Sequence, residues 1–320
     1  MKSKRIVATA PIDPVAIEIL SKLAPVETSP EQDEESLMAF CEETIAFVSR
    51  GSGAVTGRMI EASPELRVIG RPGAGYDTVD VGVATRRRIP VVYAPVGGFA
   101  VAEGALALLM TLVKQLPACD AVVKSGQWKK RFDMASGDMV GHTLGIVGFG
   151  RIGSYLAKLV QPFDMTVLVY DPYVGAGAIQ ELQAQQCELD ELLERSDFVS
   201  LHMPLNDDTR AIIDNRSLAR MKPGAILVNT ARGGLIESLD VLADALDSGR
   251  LSAVGLDVFP DEPPDISHRI FKDTRCICAP HLVGVSRVAM DRICRSMATD
   301  MVTVLEGGRP QFCVNPQVFD

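Results

Sequence analysis

At 320 residues the chain is long for one hydrophobic core and suits two domains, and its 47% apolar and 23% charged residues exclude a disordered polymer. A formal net charge of −9 argues against a nucleic-acid partner, because phosphate-backbone binding depends on clustered Lys and Arg. The opening MKSKRIVATAPIDP has too short an apolar run for a signal peptide and residues 104–113, the longest apolar stretch, are too short to span a bilayer, so a cytoplasmic protein with no membrane partner is expected.

Strands and helices alternate along the chain. Arg5–Ala8 reads as a strand, and Asp13-Pro14 as an N-cap followed by proline at the first helical position. Thr44–Val48, residues 66–69 and Val91–Tyr93 read as further strands separated by helical pattern, which makes a small parallel α/β domain. The basic run at 86–88 fits the C-terminal end of a helix on a solvated surface. Gly97-Gly98 reads as a hinge, and residues 101–116 as a strongly apolar helix.

Residues 143–171, TLGIVGFGRIGSYLAKLVQPFDMTVLVYD, combine strand, glycine turn, helix, strand and a terminal acid. The apolar run 144–147 suits a buried parallel strand. Gly148, Gly150 and Gly153 supply a tight turn, a bare backbone for a pyrophosphate and close packing of helix on strand. The helix beginning with Arg151 and Ile152 aims its N-terminal amides at the phosphates. Asp171 lies 23 residues after Gly148, at the end of the strand Thr166–Tyr170, where a carboxylate can accept both ribose hydroxyls of NAD. A 2′-phosphate there would meet a like charge, costing up to about 4 kcal/mol at roughly 4 Å in a partly screened site, which favours NAD over NADP.

Further strands are expected at Phe198–Leu201, Ala225–Asn229, 253–258 and 277–279. From Ser286 a helix carries Ile293, Met297, Met301 and Leu305 at fourfold spacing, a core pattern, and stops at Gly307-Gly308. Seven cysteines without a CxxC pair point to free thiols in a reducing compartment. Cys276 and Cys278 share a strand face, but with four histidines and no second cysteine pair no metal site is expected.

A nicotinamide implies hydride transfer, which needs a proton donor and a positive group for the substrate oxygen. Ligands of doubly wound sheets lie beyond the carboxyl ends of the strands, which removes His142 at a strand start and His268 in a proline-rich loop. His202 and His281 both follow strands, and position alone does not separate them. Arg232 sits at a strand end before Gly233-Gly234, where a guanidinium can hold a carboxylate by two prongs and polarise an adjacent carbonyl. Asp257 and Glu262, in GLDVFPDEP, flank another strand end, and either can orient a histidine.

In their order and spacing, GRPGAGYDTVD at residues 70–80, GFGRIG, SDFVSLHMPL, MKPGAILVNTARGGLIE, GLDVFPDEP, APHLVG and CVNPQVF make nearly the whole chain resemble the D-2-hydroxyacid dehydrogenases. The resemblance implies His281 as the acid/base, Glu262 as its carboxylate partner, and Arg232 as the grip on the substrate's carboxylate and carbonyl oxygen. It implies that His202 and Met203 line the cofactor cleft near the adenosine, that Thr230, Ala231 and Asp257 touch the nicotinamide half, and that Gly284 belongs to the same cofactor site. The implied fold is α/β with two doubly wound parallel-sheet domains. A Rossmann NAD-binding domain, residues 99–286, is inserted into a flavodoxin-like substrate domain made of residues 1–98 and 287–320. The long helix from Val101 is expected to build a homodimer interface.

The expected reaction is reversible hydride transfer between NAD and C2 of a small 2-hydroxy acid or 2-oxo acid, of the 3-phosphoglycerate, hydroxypyruvate or glyoxylate type. The amides of Gly73, Ala74 and Gly75 are expected to cradle the substrate carboxylate as a turn-built anion site. Arg50 and Arg71 read either as holders of a second anionic group or as solvated loop arginines. The rival function is an NAD-binding, corepressor-like sensor or scaffold of the same fold; a dehydrogenase without a 2-hydroxy acid substrate is a third. Three features depart from the family pattern. APVGGFAVAE at 94–103 is one residue short and lacks an asparagine, Val283 replaces a small residue and is expected to crowd the nicotinamide or the substrate, and without a C-terminal regulatory extension serine feedback is not expected.

Overall fold

A computed structural model describes residues 4–51 and 53–320. The described residues fall into two compact units, one built from the chain up to Gly97 together with Ser286–Asp320, the other from Gly98–Val285. In the first, β1 (Arg5–Ala8), α1 (Pro14–Leu20), β2 (Val26–Thr28), α2 (Glu34–Met38), β3 (Thr44–Val48), α3 (Gly57–Glu61), β4 (Val68–Arg71), α4 (Val81–Arg86) and β5 (Val91–Tyr93) alternate. The second opens with α5 (Gly98–Val113) and α6 (Leu116–Lys124), then β6 (Thr143–Val147), α7 (Arg151–Val160), β7 (Thr166–Tyr170), α8 (Ala176–Gln180) and β8 (Gln185–Gln186). It continues through α9 (Leu189–Arg195), β9 (Phe198–Leu201), α10 (Asn215–Arg220), β10 (Ala225–Asn229), α11 (Leu239–Asp247), β11 (Leu251–Leu256) and β12 (Cys276–Cys278), before α12 (Arg287–Leu305) rejoins the first unit.

The first unit carries a parallel sheet in the order β2-β1-β3-β4-β5, the flavodoxin-like arrangement. The Asp13 side chain accepts the Val15 N–H and Pro14 opens α1, so this helix starts where its capping residue puts it. Ile293, Met297, Met301 and Leu305 of α12 are all buried. Gly70 lets α12 seat on β4, since a Cβ there would fall 2.2 Å from the Met301 sulfur.

In the second unit seven parallel strands follow the order β12-β11-β10-β9-β6-β7-β8. The chain winds one way from β6 to β8 and the other way from β9 to β12, so the carboxyl ends of β6 and β9 form the switch point where Rossmann sheets take ligands. β9 and β10 are buried at every residue, as parallel strands covered on both faces should be. α5 buries Ala105, Leu108, Leu109 and Leu112 against Leu144, Ile146 and Val228 in one apolar cluster.

Sequence and structure differ mainly at edges. β2 and β8, which periodicity does not reveal, are edge strands of three and two residues, and the polar Glu27, Gln185 and Gln186 leave no apolar run to mark them. The apolar helix expected over 101–116 starts at Gly98 and stops at Val113, because Gln115 has a left-handed φ of 50° that a helix cannot continue through. Among the described residues no single helix is long and apolar enough to cross a membrane.

Candidate active site

β6 ends at Val147, and the chain turns through Gly148 at φ 97°. A side chain at Gly148 would meet both the His202 carbonyl carbon and Met203 at 2.8 Å, which ties this turn to the end of β9. Gly153, in the first turn of α7, approaches the Gly148 carbonyl so closely that a Cβ would come within 2.1 Å of its oxygen. At Gly150, the N-cap of α7, nothing lies within 4 Å of where a Cβ would sit, so the backbone faces open space. No side chain caps this ten-residue helix, and the amides that begin at Arg151 and Ile152 suit an anion.

Asp171 follows β7 and braces that turn. Its Oδ2 accepts the Phe149 N–H at 2.7 Å, and its Oδ1 accepts those of Tyr173 and Val174 at 2.8 and 3.2 Å. A carboxylate has about four lone-pair positions. Three backbone N–H groups thus fix the orientation of the Asp171 carboxylate at the end of β7. At the ends of β9 and β10, the buried His202 Nδ1 and Thr230 Oγ1 have no hydrogen-bond partner among the described residues. Buried polar atoms are ordinarily paired. These orphans, at the ends of β9 and β10, together with the open backbone at Gly150, fit a polar dinucleotide.

His202 is nine-tenths buried beside the buried Met203, with Nε2 2.8 Å from Ser200 Oγ. Burial drives its pKa down to about 3, so the ring stays neutral at ordinary pH and cannot act as a cationic proton donor. His281 differs in every respect. Its Nδ1 lies 2.9 Å from Glu262 Oε2, and the two side chains are 51% and 40% exposed. Glu262 is itself held, with Oε1 accepting the Phe259 N–H at 3.1 Å. With the carboxylate on Nδ1, Nε2 is the nitrogen left for another partner.

Backbone geometry fixes His281. Pairing with β11 runs on past β12, as Ala279 N–H donates to Leu256 O and His281 N–H to Asp257 O, both at 2.8 Å. His281 then takes a left-handed φ of 56°, uncommon for a residue with a side chain. The Asp257 carboxylate holds this turn by accepting the Leu282 N–H at 2.8 Å and the Val283 N–H at 3.3 Å. Burial pushes the Asp257 carboxyl above its ordinary value, while those two amides pull it back.

Arg232 stands on the next strand. Asn229, fully buried at the end of β10, accepts the Ala231 N–H at 3.0 Å and donates to Arg232 O at 2.8 Å, so this one amide shapes the loop. The half-buried Arg232 guanidinium donates to Ala231 O at 2.7 Å. Gly233 touches the neighbouring loop directly, since a Cβ there would fall 1.9 Å from the Phe259 carbonyl carbon, three residues before Glu262. The loops bearing Arg232, Glu262 and His281 thus leave the adjacent strands β10, β11 and β12 on one side of the sheet. Asn229 escaped the sequence reading, although a lone amide ending an apolar strand was the signal.

The Val283 side chain packs over Gly104 of α5, where a Cβ would come within 2.5 Å of it, and borders the apolar core of its own unit. Gly284 lies equally close to Val101, at 2.5 Å from a built Cβ.

In the first unit, Thr9 Oγ1 accepts the Arg50 N–H at 2.9 Å and lies 3.1 Å from the Arg50 carbonyl, which pins the backbone and leaves the side chain to other work. Arg71 is committed to structure, donating to Gly75 O and to Ser49 O, both at 2.9 Å. It ties the loop of Gly73, Ala74 and Gly75 to the end of β3, so of the two arginines weighed for a second anion Arg50 is the better placed. Gly73 has a φ of 119° and accepts the Ala94 N–H at 2.9 Å.

A model of the D-isomer specific 2-hydroxyacid dehydrogenase NAD binding domain matches residues 106–283. D-3-phosphoglycerate dehydrogenase of Mycobacterium tuberculosis is 39% identical over 276 residues, 86% of this chain and 52% of the relative. The chain spans little more than half the length of such curated relatives. The crystal structure of a glyoxylate reductase from Paecilomyes thermophila superposes with a TM-score of 0.88 at 29% identity, covering 99% of this chain and all of that one. A D-lactate dehydrogenase from Aquifex aeolicus, complexed with NAD and lactic acid, gives 0.86 at 27% identity, covering 95% and 96%.

Proposed function

Since the chain belongs to the D-isomer specific 2-hydroxyacid dehydrogenase family, we propose that it catalyses NAD-dependent, reversible interconversion of a small D-2-hydroxy acid and its 2-oxo acid. The observation that carries this reading is the His281–Glu262 pair at 2.9 Å, exposed to solvent on loops packed beside that of Arg232. A scaffold would not need an acid/base pair held open in this way.

Bound NAD supplies the hydride acceptor or donor at its nicotinamide. The Gly148, Gly150 and Gly153 turn and the start of α7 hold the pyrophosphate, Asp171 a ribose hydroxyl, and Thr230 and His202 the polar groups that complete their hydrogen bonds. In the reductive direction, His281 Nε2 gives its proton to the substrate oxygen while Glu262 keeps the ring oriented. Arg232 offsets the charge developing on that oxygen. Within the first unit, the Gly73, Ala74 and Gly75 amides form a turn suited to a carboxylate, and Arg50 suits a second anionic group.

The protein works as a homodimer in a reducing, cytoplasmic setting. Its contact takes in the long helix α5 together with α6 and the turn that follows. No residue of α6 is buried, and Leu116, Val123, Trp128, Phe132 and Val140 are 54–77% exposed over one short segment, the kind of patch a partner covers. A panel of 2-oxo acids assayed by NADH oxidation, including hydroxypyruvate, glyoxylate and phosphorylated or sulfonated analogues, tests the proposal. At least one should be turned over, and failure with all would overturn it.

A further inference from the structure

β12 is the outer strand of the seven-stranded sheet, paired with β11 on one side. It places Cys276 and Cys278 on one face, because side chains two apart in a strand point the same way. Their sulfurs are 3.6 Å apart. Neither thiol takes part in the chemistry proposed above. Cys278 is exposed and Cys276 half-buried. The contact between them holds the Cys278 thiol below its ordinary value and pushes Cys276 above it, with burial adding to the second effect. One sulfur is therefore reachable and nucleophilic, and the other stands next to it.

We infer that Cys276 and Cys278 form a modification site, a dithiol that a peroxide closes to a reversible intramolecular disulfide, and that closure displaces His281. The Cys278 thiolate attacks one oxygen of hydrogen peroxide, the O–O bond breaks, and a sulfenic acid forms as hydroxide leaves and is protonated to water. The Cys276 sulfur, losing its proton, then attacks the Cys278 sulfur. The S–S bond forms, the S–O bond breaks, and a second water leaves. Two thiols have lost two electrons and two protons, and one peroxide has become two waters. A dithiol reductant reverses the bond by exchange.

Two residues along a strand span about 6.6 Å, near the long end of the roughly 4.4–6.8 Å between α-carbons that a disulfide tolerates. Closure therefore draws the strand in, and an edge strand, with no neighbour on its outer side, can pucker. The next hydrogen bond downstream is Ala279 N–H to Leu256 O, and the one after is His281 N–H to Asp257 O. Movement of Cys278 reaches His281 through Ala279 and Pro280 alone, and His281 already sits in a left-handed conformation that depends on those bonds.

The consequence for turnover rests on the dehydrogenase reading, so the test separates the two. Reduced protein is treated with stoichiometric hydrogen peroxide, quenched with catalase, alkylated and digested. The peptide containing Cys276 and Cys278 should be lighter by two hydrogens and resist alkylation, and dithiothreitol should restore both thiols. The His281 ring resonance, assigned by its loss in His281→Ala, should move on oxidation and return on reduction. Turnover of the best 2-oxo acid should fall roughly 10- to 100-fold, the cost of displacing a reacting group by about an ångström, and recover with dithiothreitol. Cys278→Ser and Cys276→Ser should each keep full turnover through the same treatment. Two alkylated thiols after oxidation, or a disulfide that leaves the His281 resonance unmoved, would overturn the inference, as would equal inactivation of both serine variants. Should no 2-oxo acid be turned over, the dehydrogenase reading fails, and the mass and the resonance still decide this one.

Discussion

His202 and His281 are equivalent in sequence, each just past a parallel strand, and solvent is what separates them. His202 binds a proton only near pH 3, against an ordinary value of 6.5. Between those values the unfolded chain holds more protons than the folded one, so this group makes stability fall as pH drops below about 6.5. From pH 7 to pH 5 the native protein should lose roughly 2 kcal/mol more than His202→Asn by urea denaturation; equal losses would mean the ring is not buried neutral. At His281, replacement by Ala should lower turnover by roughly two to four powers of ten while NAD affinity changes little. Glu262→Gln should do less to the rate, since an amide oxygen can still accept the ring N–H and hold the imidazole in place. If His281→Ala stays within about threefold of the native rate, its role as the acid is lost. Asp171→Ala should relax the preference for NAD by removing the negative charge beside the ribose. Steady-state kinetics with both cofactors measures this, and equal use of NADP by the native protein would contradict the placement.

At the scale of elements, strand ends bring the chemistry together, and glycines set how closely. Gly233 carries the Arg232 loop onto the Phe259–Pro260 peptide with no room for a methyl group. Gly233→Ala must part the two loops, at a cost of about 1–3 kcal/mol as overpacking. Because Arg232 moves with the backbone, kcat/KM should fall on the order of 100-fold while NAD binding, measured by fluorescence titration, is kept. A variant with lowered Tm and native kcat/KM would show that the loop contact serves stability alone.

For the whole molecule, the segment of α6 and the turn Trp128–Asp133 is an apolar surface left uncovered among the described residues, with Phe132 77% exposed. Paired substitutions Trp128→Asp and Phe132→Glu place charges in the proposed contact. Sedimentation velocity should then show a monomer where the native chain is expected to run as a dimer, and a dimer in both would place the interface elsewhere.

Periodicity and capping carried most of the secondary structure. Asp13-Pro14, the fourfold apolar spacing of α12 and the buried runs of β9 and β10 each express a local rule, and the glycine turn with Asp171 follows the pattern of a dinucleotide site. The short polar edge strands β2 and β8 were not legible, because an edge needs no apolar pattern. The left-handed break at Gln115 was equally hidden, since nothing in the residue type forces it. Sequence determined which side chains could do the chemistry. Tertiary structure decided which could do it in their surroundings: burial leaves His202 neutral, the Glu262 carboxylate meets the exposed His281, Arg71 is used to hold a loop, and Val283 turns toward α5. Each outcome depends on solvent access and on contacts between residues far apart in the chain, which spacing along one strand does not encode.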